Sequence, residues 1–473
     1  MNIRIQYLIL LLILSISGYG QSEAILQEEI LSFEEYLGYV KQQHPLIKQA
    51  ELTLSVGEAN LLKARGGFDP KIEVDYDRKK FKGTEYYDEL NAAFKIPTWY
   101  GIEFKANFEE NSGTFLNPNL TVPDDGLYSA GVSFSLAQGF LMNDRMATLK
   151  KAKFFREQTK AERDLQVNTL IFEASKVYFE WLEATNEQRI YETFLANANQ
   201  RFIAIKRSVE VGDKAAIDSV EAKITFQNRR LSLEAARLKR RKATLKASNY
   251  LWINNIPMEI QEYVTPVIPD QAILESSLKL TGITNTASFL ENHPKLRAMD
   301  NKIESLNVDR SLKRNKLLPR LDLQYNFLNT EYDQISTFNT ANYKAALTFS
   351  VPLFLRKERG DLKLSNLKIQ DANFQRASEA LTIQNKIEAM NAEIASLELQ
   401  NDLVDAVVQN YTALVMAEER KFALGESSLF LINSREGKLI DAQLKENQLQ
   451  VKLLTSNAGL YNALGLTEDL TVN

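Results

Sequence analysis

The sequence predicts a mainly α protein with a smaller β-barrel part, laid out as two structural repeats along one chain of 473 residues. Three observations predict it. His44-Pro45, then Pro70, then the alternating run Ile72-Glu73-Val74-Asp75-Tyr76 returns as His293-Pro294, Pro319 and Leu321-Asp322-Leu323-Gln324-Tyr325. Every member is displaced by the same 249 positions, and these are the only two histidines. Two stretches without glycine or proline, 140–211 and 361–424, carry apolar seams that are in phase by a constant 213 positions. Between helix and rod in each repeat lie segments of period two, the spacing of a strand with one apolar face.

Composition narrows the chemistry. The formal net charge is −4, a slightly acidic balance that argues against nucleic acid as a partner. Cysteine is absent, so thiol catalysis, disulfides and cysteine–zinc sites are excluded, and both histidines stand beside prolines at segment starts. No catalytic, cofactor-binding or metal-binding set is expected. Glycine (19) and proline (11) are scarce, as very long helices require.

The elements follow in order. Residues 1–20 read as a signal peptide: Arg4, an apolar core from Tyr7 to Leu14, and small residues at Gly18 and Gly20, with cleavage expected after Gly20. The apolar run is shorter than the roughly 20 residues of a helical span. No later stretch is apolar enough either, so entry into a membrane would require a closed barrel. Repeat 1, residues 21–255, opens with a helix of about 25 residues that Pro70 ends, and its strands fall within 71–138. Leu90, Ala92, Phe94, Ile96 and Ile102, Phe104, Ala106, Phe108 alternate on either side of Pro97-Thr98-Trp99-Tyr100-Gly101. They read as an inserted membrane hairpin, giving six strands per chain, and the alternative is a hairpin standing above the membrane, which leaves four.

A long helical hairpin is expected over 140–248. Its seam runs Val167, Leu170, Ala174, Val177, Trp181, Ala184, Gln188, Tyr191, Leu195, Ala198, Phe202, Ile205, Val209, in steps of three and four, as in a left-handed coiled coil. Residues 256–285, with Pro257, Pro266, Pro269 and Gly282, read as a connector around the middle of the rods. Repeat 2, residues 286–473, has its strands in 320–354 and its hairpin over 361–464. The second seam, from Ile383 through Met390 and Leu397 to Val415, has its one polar member, Asn401, in register with Gln188. These two are expected to set the register of the coiled coils. Gly212 and Gly425 cap the rods, and the tips over 212–218 and 425–433 turn each chain back.

The duplicated His-Pro…Pro-strand order, the Phe349-Ser350-Val351-Pro352-Leu353-Phe354 strand end entering a long helix, and the two glycine tips together resemble the TolC-like outer-membrane efflux proteins. The resemblance spans essentially the whole mature chain. It implies a trimer in the outer membrane of a Gram-negative bacterium, with one shared β-barrel and one coiled-coil tunnel reaching far into the periplasm. It implies an exit duct for an efflux pump or a type I secretion system, partnered by a periplasmic adaptor, an inner-membrane transporter and outer-membrane lipid. On this resemblance Gly212, Asp218, Gly425, Leu431, Asn433 and Ser434 mark the adaptor-docking tips, and Pro70, Pro319 and Pro352 the helix-to-barrel junctions. Many members carry aspartates after the second tip glycine; here Leu431, Asn433 and Ser434 stand there, and only Asp218 matches an acidic position. Two rival readings are an exported soluble coiled-coil scaffold of the periplasm and an enzyme on envelope polymers. The second would have to use Asp124-Asp125 or Glu109-Glu110, adjacent carboxylates that read more naturally as solvated surface.

Overall fold

The computed structural model describes residues 29–467 except 283–285 and 338; the expected signal segment 1–20 lies outside the described residues. Strand β1 (Glu29–Leu31) leads into α1 (Phe33–Gln43) and α2 (Pro45–Arg65). Then come β2 (Lys71–Phe81), β3 (Thr84–Pro97), β4 (Ile102–Ser112), β5 (Leu127–Ser135) and the rod α3 (Asp144–Glu210) with its return α4 (Ala216–Ser248). The connector holds β6 (Trp252–Ile253), β7 (Ile256–Pro257), β8 (Val264–Pro266) and α5 (Gln271–Ser277). Repeat 2 supplies α6 (Thr286–Asn292), α7 (Pro294–Asn315), β9 (Arg320–Asn329), β10 (Tyr343–Ser350), the rod α8 (Arg356–Ala423) and its return α9 (Leu429–Leu464).

The short helices differ from expectation. α2 has 21 residues rather than about 25, and α7 has 22. The prolines do not end them directly. The residue before a proline is pushed to extended backbone, so the chain must leave the helix earlier: Asp69 sits at φ −67°, ψ 140°, after a 3₁₀ turn over Gly66–Phe68. α1 was not foreseen as a separate helix. It is capped by Ser32, whose Oγ accepts from the Glu35 amide at 3.2 Å, and it buries Phe33, Tyr36, Leu37 and Val40.

The paired histidines are structural. Each is the N-cap of the helix it precedes: His44 Nδ1 accepts the Leu46 amide at 3.2 Å, and His293 Nδ1 accepts the Lys295 amide at 3.1 Å. Each ring also hydrogen-bonds backbone at the far end of its own return helix, Asn249 for His44 and Ala463 for His293. Gly465, at φ 62°, closes α9 against the second ring, where a Cβ would fall 2.7 Å from His293 Nε2. The histidine therefore staples the start of one helix to the end of another, once per repeat.

All six long strands form one antiparallel sheet in the order β10-β9-β5-β4-β3-β2. The insert is part of it, since β3 and β4 pair with each other and with β2 and β5. The register puts like with like: Val74 faces Ala92, Ala92 faces Phe108, Phe108 faces Tyr128, and Ala130 faces Phe327, which faces Tyr343. One face of the sheet is thus apolar from the strand ends at Ile72 and Ile102 up to Leu90 and Phe108, and nearer the Gly83 turn the same face carries Arg78, Asp88 and Glu110. It is also bare, with Ile72 77%, Leu347 67% and Phe349 63% exposed.

At mid-height of α3 sits the main core. Val167, Ile171, Tyr178, Phe179, Trp181 and Leu182 pack there against α1, the end of α9, and Leu274 and Leu278 of the connector. The Tyr178 hydroxyl lies 2.9 Å from the carbonyls of Leu31 and Val267. Every member of both seams is buried or half-buried. Toward the sheet the helices touch in the row α2–α3–α7–α8, and toward the tips in the row α4–α3–α9–α8. The ends of these rows are the bare ones: Leu52, Val56 and Leu62 on α2, Leu231 and Leu238 on α4, and Leu367, Phe374 and Leu381 on α8 are all at least half exposed.

Burial lowers the His293 imidazole from its ordinary 6.5 to about 4. A depressed folded value means that the stability it contributes is present above pH 6.5 and is lost as pH falls toward 4. Thermal melts followed by circular dichroism should show a loss of up to about 3 kcal/mol across that window. His293→Asn, which keeps a capping acceptor, should remove most of the slope.

Candidate channel wall, junctions and tips

The polar face of the sheet carries Glu73, Asn91, Lys95, Glu103, Lys105, Asn107, Glu109, Asp322, Gln324 and Asn326, alternating with the apolar set. It is concave. Lys344 on β10 reaches Glu109 on β4 at 3.6 Å although two strands lie between them, and Lys95 pairs with Glu73 on the neighbouring strand. At Gly131 β5 and β9 approach closely: a Cβ there would come within 2.1 Å of the Tyr325 carbonyl and 2.3 Å of Asn326 Oδ1. The alternation gives a sheet that can present apolar side chains to hydrocarbon and polar ones to an aqueous bore. The adjacent carboxylates do not converge: Glu109 faces this wall and pairs with Lys344, while Asp124 and Asp125 lie in the exposed loop before β5.

One end of the sheet is the helix end. Lys71, Pro97, Ile102, Ser135, Arg320 and Ser350 all terminate strands there. Pro70 precedes β2, Pro319 precedes β9, and Pro352 follows β10. The Pro319 carbonyl accepts the Gln138 amide at 3.1 Å, tying the start of β9 to the chain leaving β5. The β3–β4 turn is at this end too. Thr98 Oγ1 donates to the Ile102 carbonyl at 2.7 Å, and Gly101 turns at φ 68° against Gly139. Asn143 caps α3 by accepting the Met146 amide at 2.8 Å, while its Nδ2 donates to the Trp99 carbonyl at 3.0 Å. The insert therefore turns against the N-terminus of the rod. Its other neighbours, the turns around Gly83 and Asn119, lie at the opposite end.

The tips meet at the far end of the rods. Gly212 and Gly425 have φ 86° and 80°. Each follows with a six-to-one bond, Asp213 amide to Ser208 carbonyl and Glu426 amide to Lys421 carbonyl, both 2.9 Å, the bond that satisfies an orphan helix carbonyl. The two tips pack on one another through Ile205, Ala222 and Leu429, and Lys214 lies 4.4 Å from the Phe422 ring centre. Ser428 caps α9, with its Oγ 3.3 Å from the Leu431 amide. Asn433 donates to Glu221 across the two hairpins at 3.3 Å. Asp218 is half-buried in the first turn of α4, whereas Leu431 and Ser434 are exposed.

Gln188 and Asn401 share a sequence position but not a role. Asn401 Nδ2 donates to the Leu397 carbonyl at 2.8 Å and reaches Leu449 on α9 at 3.4 Å. Gln188 turns instead to Glu192 on its own helix at 2.8 Å. Of the two, Asn401 reaches across to another helix through its side-chain amide, while the bond given for Gln188 stays on its own helix. On the α4 side Gln188 lies beside Arg237, Arg240, Arg241 and Thr244.

Sequence reasoning missed the strongest charge cluster. Glu436, only 1% exposed, receives Arg201 from α3 at 3.1 Å and Arg229 from α4 at 3.7 Å, and Arg201 also reaches Glu419 on α8 at 3.3 Å. All four helices of the lower row meet there. The signal was available: Glu436 is a carboxylate within an apolar series, Ile432 to Leu439 and Ile440, at helical spacing. Removing a buried partner leaves unpaired charge behind, which costs about 3–5 kcal/mol. Glu436→Gln should fall near the lower end because both arginines keep some solvent. Hydrogen exchange should rise in both tips together, while the sheet stays protected.

With the geometry in place, the comparisons agree with one another. The model of the outer membrane efflux protein family matches residues 37–247 and 286–466. The solvent efflux pump outer membrane protein SrpC of Pseudomonas putida is 22% identical over 318 residues, which is 64% of this chain and 64% of the relative. The match thus spans slightly under two-thirds of that relative's length. The CmeC outer membrane channel of Campylobacter jejuni superposes with a TM-score of 0.65 at 13% identity, covering 91% of this chain and 85% of that one. A membrane protein from Pseudomonas aeruginosa does so at 0.67 and 13%, covering 93% and 95%. Both likenesses establish the fold. Matched in both repeats, over most of its length, the chain belongs to the outer membrane efflux protein family.

Proposed function

We propose that this chain is the outer-membrane exit duct of a tripartite efflux pump or type I secretion system, a passive homotrimeric channel from periplasm to exterior. The observation that carries the reading is the continuous apolar face across six strands, left bare by the rest of the chain. Water is a poor solvent for that face and hydrocarbon a good one. In hydrocarbon, however, the outer edges of β2 and β10 would leave backbone groups unpaired at several kcal/mol each. Closure on copies of itself removes both edges. Three copies give eighteen strands, within the range of such barrels. The helical rows have matching bare ends, α2 and α4 on one flank and α8 on the other, the head-to-tail surfaces from which rings are built.

In this assembly the polar face lines the bore, and the rods carry it roughly 100 Å beyond the barrel. The tips around Gly212 and Gly425 form the periplasmic mouth. There Val211, Ile217, Leu424 and Phe430 stand exposed, the surface offered to a periplasmic adaptor that links the duct to its inner-membrane transporter. A soluble scaffold would leave the apolar sheet face without a partner layer.

Topology gives the direct test. The native chain has no cysteine, so single cysteines report cleanly. On intact cells, an impermeant thiol reagent should label Asn119→Cys and miss Thr98→Cys until the outer membrane is opened. Labelling of both from outside would refute the six-strand membrane barrel. For the flanks, Phe374→Glu with Leu381→Glu should convert the detergent-extracted trimer to monomer, as read by light scattering on a sizing column. A trimer that survives this pair of charges would place the contact elsewhere.

A further inference from the structure

The helix end of the sheet gathers charge that the sequence disperses. Residues 63–71, 144–153, 309–320 and 356–363 hold sixteen lysines and arginines against five acidic residues, in a chain whose net charge is −4. They are the last turns of α2 and α7 and the first turns of α3 and α8, with the strand starts at Lys71 and Arg320, so all four segments meet at one level. Some of these cations are already paired: Lys151 with Asp309, Lys313 with Asp361, Lys316 with Asp144 and Arg145 with Glu103. Arg65, Lys153, Arg310, Arg314, Arg356 and Arg359 are exposed, and none makes an ion pair among the described residues.

Apolar anchors share the level. Leu353 is 89% exposed, Leu141 72%, Phe354 69% and Tyr100 58%. The guanidinium of Arg356 lies 5.0 Å from the Phe354 ring centre, and Lys150 Nζ lies 5.8 Å from that of Trp99. A cleft of about 630 Å³ between α2, α3 and α7, lined by Lys63, Arg145 and Lys151, opens beside them. Aromatic and aliphatic side chains continuing the apolar face, bordered at once by unpaired cations, match the two layers of a bilayer surface: acyl chains, then phosphates. The tips and the opposite end of the sheet mix both signs instead, as in 206–223 and 75–89.

We infer that this collar binds the anionic phospholipid headgroups of the membrane leaflet on the helix side, so that the duct selects acidic lipids and is held at a fixed depth by them. The inference rests on the outer-membrane reading above. Lysine and arginine near an acidic bilayer surface each contribute about 1 kcal/mol, screened by salt. Phosphatidylglycerol is a sufficient probe of the chemistry.

Trp99 reports on the site, because Trp181 is fully buried at mid-height and Trp252 belongs to the connector. The full-length trimer is placed in phosphatidylcholine bilayers doped with brominated phosphatidylglycerol or brominated phosphatidylcholine, and tryptophan quenching is compared. At low salt the relative binding constant should favour phosphatidylglycerol by about fivefold or more. The combined change Arg310→Gln, Arg314→Gln, Arg356→Gln and Arg359→Gln should bring it close to one, and high salt should do the same to the unmodified chain. Equal quenching by both lipids in the unmodified trimer, or a preference that survives both salt and substitution, would overturn the collar and leave the barrel standing. Quenching by neither lipid would overturn the collar and the membrane reading together.

Discussion

The fold depends on two unpaired strand edges. A single chain makes a sheet whose outer strands, β2 and β10, each offer a full row of backbone groups that has no partner among the described residues. In water such edges invite aggregation, and in hydrocarbon they are costly. The helical part is built to the same specification, with its buried seams inside the rows and its bare leucines and phenylalanines at their ends. Sheet and helices therefore require a neighbour at the same two flanks. α3 makes the asymmetry visible: it has partners on both sides and buries many residues, whereas α8, of nearly equal length, buries few.

Duplication supplies most of the architecture, and the departures from it show where each copy is specialised. His44 and His293 do the same work in both repeats, because the start of a short helix must be fixed to the end of a return helix wherever the rods pass through the equator. Gln188 and Asn401 do not, since their surroundings differ: Asn401 reaches the Leu449 carbonyl of α9, and Gln188 lies beside the arginines of α4. The insert β3–β4 has no counterpart in the second repeat. It is nevertheless paired along its whole length and anchored by Asn143 at its turn.

The fold was largely legible because its signals are local. Period two marks the strands, steps of three and four mark the rods, and a glycine after each rod marks the left-handed cap. Two kinds of feature were not. Helix ends near Pro70 and Pro319 were misplaced because the restriction acts on the residue before the proline, not on the proline itself. Long-range charge was missed almost entirely. The Glu436 cluster draws on helices up to 235 positions apart. The basic level at the helix end is the sum of four segments, none of them striking enough to read as a basic run. The tip residues were locatable from Gly212 and Gly425, but that Asn433 bridges the hairpins to Glu221 could not be read without the rows of helices.

The inserted hairpin also changes how two cylinders fit end to end. Eighteen strands about 4.8 Å apart and tilted by about 40° give a barrel circumference of about 110 Å, where twelve would give only about 75 Å. Toward the sheet each chain presents four helices, α2, α3, α7 and α8, and twelve of them at about 9–10 Å spacing make a ring of roughly 110–120 Å. With six strands per chain the two rings have nearly equal girth, so rods and strands can meet without a taper. A trimer built in the way proposed above keeps one bore width from helix to strand.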